Sequence, residues 1–107
     1  MNAYWTALFV AGLLEIGWAS GFKAAFRSNH MITVAVLAAM VASFALLNYA
    51  MRAIPVGTAY AVWTGIGAAG AALVGLVVFR EPATAVRILS ICAIVGGVVG
   101  LKLGSSH

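Results

Sequence analysis

The sequence is poor in charge. Its 107 residues include two acids and six Lys or Arg, so charged residues make up 7% of the chain. A soluble domain carries about 25%. So few charges cannot cover a water-exposed surface, which excludes an ordinary soluble globule. Cysteine is almost absent. Cys92 stands alone, which excludes an intrachain disulfide and a multi-cysteine metal site and leaves a small apolar residue inside a helix. Proline occurs twice, at Pro55 and Pro82, and neither lies inside a long apolar run. No base precedes the first apolar run and no cleavage site follows it, so the run reads as a retained helix and not as a secretory signal. The six bases are scattered singly. That pattern argues against a nucleic-acid surface and for anchors at membrane ends. His30 and His107 read as loop and tail residues that do not pair as ligands. Glu81, between Arg80 and Pro82, reads as a solvated loop acid. No nucleophile with a base, no phosphate-binding loop and no metal cluster is visible, so no enzyme is expected.

What the chain has instead is apolar length: 64% of its residues are hydrophobic. A bilayer core of about 30 Å takes about 20 apolar residues per helix. Four runs meet this, Tyr4 to Phe22, Met31 to Met51, Gly57 to Phe79 and Ala85 to Leu103. The breaks between them hold the punctuation: Lys23 to His30, then Arg52 to Val56, then Arg80-Glu81-Pro82, where Arg80 suits a helix C-terminus and Pro82 cannot continue one. Connections this short predict up-and-down neighbours, hence an all-α membrane protein whose single domain is a four-helix antiparallel bundle. Four bases (Lys23, Arg27, Arg80, Arg87) flank the first and third connections, and two (Arg52, Lys102) lie on the opposite side. This bias leaves one fixed orientation and a mixture of both equally open.

Glu15 is the principal chemical signal. It falls about 11 residues into the first run, roughly 16 Å at 1.5 Å per residue, near the middle of a bilayer. A carboxylate there is costly and marks a functional site unless a buried cation pairs with it. The bases all fall near run ends, so no such partner is expected. Gly12 and Trp18, at i−3 and i+3, share its helix face, as do Ala11 and Ala19. Small residues allow close approach of a helix or ligand, and Trp18 adds an aromatic face and an N–H donor. Trp5, by contrast, reads as an interfacial belt residue. In the third run Tyr60 and Trp63 stand at i and i+3, and cations bind over such rings. Gly65 and Gly67 offer a bending point there. Ser43 lies about midway along the second run, as a hydrogen-bond partner for a carboxylate or as an ordinary satisfied helix serine. Gly96, Gly100 and Gly104 recur every four residues in the fourth run, a small-residue ridge that reads as a homodimer seam.

At these residues the chain resembles the small multidrug resistance family over essentially its whole length. The carrying motifs are Gly12-Leu-Leu-Glu15-Ile-Gly-Trp18-Ala19-Ser-Gly-Phe-Lys23 and Pro55-Val-Gly57-Thr-Ala-Tyr60-Ala-Val-Trp63-Thr-Gly65-Ile-Gly67. Trp18, the Trp63 to Gly67 run and Lys102 are similar to the guanidinium-exporter branch. The first connection, Ala25-Phe26-Arg27-Ser28-Asn29-His30, departs from that branch. The resemblance implies an antiparallel, dual-topology homodimer in a bacterial plasma membrane, exchanging protons for guanidinium-type cations. It implies that Glu15 binds both ions, that Gly12, Trp18, Ser43, Tyr60 and Trp63 line the site, and that no cofactor is needed beyond the coupling proton. The expected partners are a small organic cation, the lipid bilayer and a second copy of the chain. A long alkyl tail on the cation is expected to lie between second helices, beside Met40, Phe44 and Leu47. The alternatives at this stage are a broader quaternary-ammonium exporter, a small dual-topology ion channel, a proton-carrying rotor subunit and a non-transporting subunit of a larger complex. A mid-membrane acid argues against an anion path, and four helices argue against the two-helix rotor class.

Overall fold

The computed structural model describes the backbone of residues 2–25 and 30–105, and their side chains apart from those of residues 22–25. The expected anchors Lys23 and Arg27, with Ser28, Asn29 and His107, therefore lie outside the described side chains. All regular structure among the described residues is helical: α1 (Ala3–Ala25), α2 (His30–Ala50), α3 (Val56–Val77) and α4 (Ala85–Leu103). α1 runs past Phe22 and takes in the backbone of Lys23, because Lys and Ala are good helix formers and no Gly or Pro intervenes before Ala25. His30 opens α2 and is not a loop residue.

The helix ends follow local chemistry. Asn2 caps α1, its Oδ1 accepting the Trp5 N–H at 3.0 Å. Thr84 caps α4, its Oγ1 accepting the Arg87 N–H at 3.2 Å. Such caps satisfy N–H groups that a first helical turn leaves unpaired. A tight turn over Met51 to Pro55 joins α2 to α3, with the Ala53 N–H donating to the Ala50 carbonyl at 3.2 Å. α3 stops at Val77, two residues before the sequence pattern suggested. Arg80 then adopts a left-handed backbone with φ 53°, which turns Glu81 back so that its N–H reaches the Gly75 carbonyl at 3.0 Å. Arg87 donates to Glu81 in a salt bridge across this connection. Glu81 is thus an exposed loop acid, as read, with Arg87 as its partner. A side chain at Gly75 would collide with that pair.

α1 and α2 run antiparallel, with Tyr4 stacked on Tyr49 at one end (centroids 5.0 Å apart) and Gly21 against Val36 at the other. α1 and α3 run parallel, with Ile66 on Gly12 and Ile16 on Gly70. Each pair seats a branched side chain over a glycine, which lets the backbones approach closely. α4 lies antiparallel along α3, with Val98 on Gly65. It packs on α3 and reaches α1 by the side chain of Lys102, whose ammonium sits 4.7 Å from the Trp5 ring centroid. The result is a flat slab measuring 45 × 35 × 18 Å, a three-helix unit with a fourth helix on its edge. The helices alternate in direction as the short connections predicted, but α4 packs along α3 alone and does not close the bundle.

The contiguous core comprises Trp5, Leu8 and Ala11 of α1, Leu47 and Ala50 of α2, Ile54 of the turn, and Ala59, Val62 and Trp63 of α3. Trp5 is 1% exposed. The belt reading is therefore wrong for it: its ring is inside the protein, capped by a cation, and not at a lipid interface. α2, α3 and α4 are each long and apolar enough to cross a membrane, and most of α4 and much of α2 face outward. Outward-facing Leu, Val and Ile suit hydrocarbon and not water.

Candidate functional site

α1 has 23 residues, about 35 Å at 1.5 Å per residue, and Glu15 sits one residue beyond its midpoint. The helix brings Gly12, Glu15 and Trp18 to one face, and α3 packs over it. Gly67 lies directly on the Glu15 carboxyl group, where a β-carbon would collide with the carboxyl carbon and both oxygens. Gly65 and Gly67, read as a bending point or as close-packing positions, lie in one uninterrupted helix, and Gly67 makes room for the acid.

α2 contributes Ser43, which is fully buried. Its hydroxyl donates to the Ala11 carbonyl at 2.7 Å and accepts from Trp63 Nε1 at 2.9 Å. Of the two readings left open for Ser43, a carboxylate partner and a satisfied helix serine, the structure shows the second. Its one proton goes to a backbone carbonyl one turn before Glu15, and its lone pair fixes the Trp63 indole. Ser43 is a hub that joins α1, α2 and α3 at mid-depth.

The aromatic groups form a chain. Trp18 meets Phe44 edge-on at 6.1 Å, Phe44 meets Trp63 at 5.5 Å, and Trp63 meets Tyr60 at 5.6 Å. Trp63 is 7% exposed and Tyr60 is 56% exposed, so the chain leads from the α1 site to the surface of the protomer. Phe44, read as able to sit beside an alkyl tail, is 45% exposed and also bridges the two tryptophans. Leu47, read the same way, belongs to the core and is not available to a tail. A sequence signal for Phe44 existed, since it adjoins Ser43 at the depth of the acid, and a mid-helix glycine level with Glu15 was the corresponding signal for Gly67.

Among the described residues, four buried side-chain atoms have no hydrogen-bond partner: Glu15 Oε2, Trp18 Nε1, Ser20 Oγ and Arg87 Nε. Buried polar groups normally find partners. An acceptor and a donor therefore stand open on one face of α1, one turn apart, beside aromatic rings. This arrangement suits a cation that carries N–H donors and presents a flat face. Gly96, Gly97 and Gly100 of α4 meet nothing within the protomer, and Gly104 lies against the Gly100 carbonyl.

Three apolar helices long enough to cross a bilayer, α2, α3 and α4, define a multi-pass membrane protein. The match of residues 3–94 to the Small Multidrug Resistance protein model places the chain in that family, to which it belongs. It is 50% identical over 102 residues to a protein of Proteus vulgaris named Guanidinium exporter, covering 94% of this chain and 98% of that one. It is also 50% identical over 104 residues to proteins of the same name from Citrobacter freundii and Salmonella typhimurium, covering 96% of this chain and 98% of each.

Proposed function

We propose that the protein is a proton-coupled antiporter that exports guanidinium and related small organic cations across the bacterial plasma membrane. The observation that carries this is the mid-membrane Glu15 carboxylate with one oxygen unpartnered beside the open Trp18 N–H. Guanidinium is planar, always charged and offers N–H pairs that match a carboxylate, while Trp18, Tyr60 and Trp63 supply rings for its face. A proton and a cation cannot hold the same carboxylate at once. If the site changes facing only when one of them is bound, the two must exchange. The names of the relatives support guanidinium as the cation.

In this reading all four helices span the membrane and the working unit is an antiparallel, dual-topology homodimer. Support comes from α4, whose glycine ridge faces open space, and from the slab shape, which leaves the Glu15 site with too few walls. A second copy seamed along Gly96, Gly100 and Gly104 would supply them. Replacing both Gly96 and Gly100 by Leu is expected to shift the chain from dimer to monomer in cross-linking in lipid, because bulk on this ridge keeps backbones apart. An undiminished dimer would move the seam elsewhere.

The direct test of substrate class is competition for the site in liposomes at fixed pH. A tetraalkyl ammonium has no N–H donor and keeps only charge and cation–π attraction. Losing two charge-assisted hydrogen bonds costs about 3–6 kcal/mol in gross terms, partly offset by easier desolvation. Guanidinium is expected to outcompete tetramethylammonium by at least about tenfold. Equal competition would mean that hydrogen bonding does not select the cation, and would favour a broader quaternary-ammonium exporter.

A further inference from the structure

The Glu15 carboxyl lies against α3 between two unlike neighbours. It occupies the place that a β-carbon would take at Gly67. β-Carbons lean toward the start of their helix, so the carboxyl lies over the turn that holds Trp63 and Thr64. Helix residues three or four apart have β-carbons about 5–6 Å apart, which sets the carboxyl about that far from the base of both side chains. At 3.6 residues per turn the two flank it, Trp63 by roughly 40° on one side and Thr64 by roughly 60° on the other. Trp63 is 7% exposed and its indole N–H goes to Ser43, so that flank is closed. Thr64 is exposed, and so is Tyr60, one turn before it on the same face. The half-buried acid therefore opens toward Thr64 and Tyr60.

Thr64 stands near the middle of α3. Helical hydroxyls commonly turn back to the carbonyl of the preceding turn. Thr6 bonds the Asn2 carbonyl in this way at 3.0 Å, and Ser90 the Val86 carbonyl at 2.7 Å. Among the described residues Thr64 forms no side-chain hydrogen bond, either to the Tyr60 carbonyl or to Glu15. An unmatched hydroxyl at this depth is costly against hydrocarbon, so this face of α3 suits a polar space better than lipid. Resting on the antiport reading, we infer that Thr64 is a specificity-determining ligand of the cation, its Oγ1 accepting an N–H from a guanidinium held by Glu15. A carboxylate takes one edge of guanidinium through two parallel N–H groups. The remaining N–H groups point away from the acid and need acceptors. The indoles of Trp18 and Trp63 are donors only, and the Ser43 hydroxyl is committed to Ala11 and Trp63. Thr64 and Tyr60 carry the side-chain oxygens of the open flank, and Thr64 is the nearer by one turn. Its hydroxyl accepts from the cation while its own proton returns to the Tyr60 carbonyl. A proton on Glu15 brings no such array of donors, so Thr64 favours the cation-loaded form alone.

The test uses the full chain in liposomes, with guanidinium binding followed by tryptophan fluorescence at fixed pH. Thr64→Val keeps the shape of the side chain and loses the hydroxyl. Thr64→Ser keeps the hydroxyl and loses the methyl group. Thr64→Val is expected to weaken guanidinium by at least about tenfold, the loss of one hydrogen bond to a charged group. Thr64→Ser is expected to stay within about threefold of the native chain. Tetramethylammonium, which has no N–H, is expected to bind Thr64→Val as it binds the native chain. Should Thr64→Val fail to insert, Thr64→Ala takes its place. Native affinity in Thr64→Val overturns the role of the hydroxyl. A loss in Thr64→Ser as large as in Thr64→Val, or an equal loss for both cations, assigns Thr64 to packing and overturns it too. Glu15→Gln in the same preparation tells the two readings apart. Guanidinium binding abolished by Glu15→Gln but untouched by Thr64→Val leaves the antiport reading standing without Thr64. Guanidinium binding that survives Glu15→Gln removes the antiport reading and the Thr64 role that rests on it.

Discussion

Replacing Glu15 by Gln is expected to abolish proton-coupled cation transport and leave a folded, membrane-inserted chain. Gln keeps the shape that lies against Gly67, so the α1–α3 packing survives. It cannot hold a proton in one state and release it in another, and it brings no charge to a cation in a low-dielectric site. Losing a charge-assisted pair of this kind costs about 3 kcal/mol, or roughly a hundredfold in affinity. The pH response separates binding from coupling. On the proposed mechanism a proton and guanidinium compete in the native chain, so acidification is expected to weaken guanidinium binding, by up to about tenfold per pH unit for one displaced proton. In Glu15→Gln this slope is expected to be flat. Proton flux and cation flux measured together in liposomes check both parts, and coupled exchange that persists without the acid would end the mechanism.

Gly67→Ala is expected to be nearly as damaging, although it adds one methyl group. The new β-carbon would fall onto the Glu15 carboxyl group. The backbone of α3 is held by Ile66 on Gly12 and by Gly70 under Ile16, so the carboxyl, at the end of a flexible side chain, is the group that has to move. Overpacking of this kind costs about 1–3 kcal/mol. The larger consequence is geometric, since a shift of about 1 Å at a reacting group can cost a hundredfold in rate. Cation binding and coupled transport are expected to fall by at least about tenfold while the protein still inserts and folds. Gly57→Ala is the control, because a β-carbon at Gly57 meets nothing. Equal loss in both would mean that α3 glycines act through flexibility and not through the space they leave for the acid.

Much of this architecture was legible in the sequence because membrane helices announce themselves by length. Four apolar runs and their punctuation gave the elements to within a few residues. Glu15, Trp18, Tyr60 and Trp63 were legible because a charge or ring at mid-depth, at spacings of three, carries its own physical demand. What was not legible depends on which face of one helix meets which face of another. Ser43 could be read as polar and central, but not that its proton goes to the Ala11 carbonyl and its lone pair to Trp63. Phe44 and Leu47 look alike as apolar α2 residues, yet one bridges two tryptophans and the other is core. Trp5 looks like an interfacial anchor by position and is buried because Lys102 arrives from a helix nearly a hundred residues later. The contact made at Gly67 was not legible for the same reason: glycine permits a kink, a cavity or a close contact, and only the neighbour decides.

The placement of α4 has an evolutionary side. The helix stands on the edge of the slab, against α3, and contributes none of the groups around Glu15. In the proposed dimer, residues that choose a cargo and residues that choose a companion chain therefore occupy separate stretches of one short gene. A duplicated copy can drift along residues 85–103, acquire a taste for a sister chain over itself, and keep its inherited chemistry intact. Descendants of such a chain are free to become obligate pairs without first having to relearn what they carry.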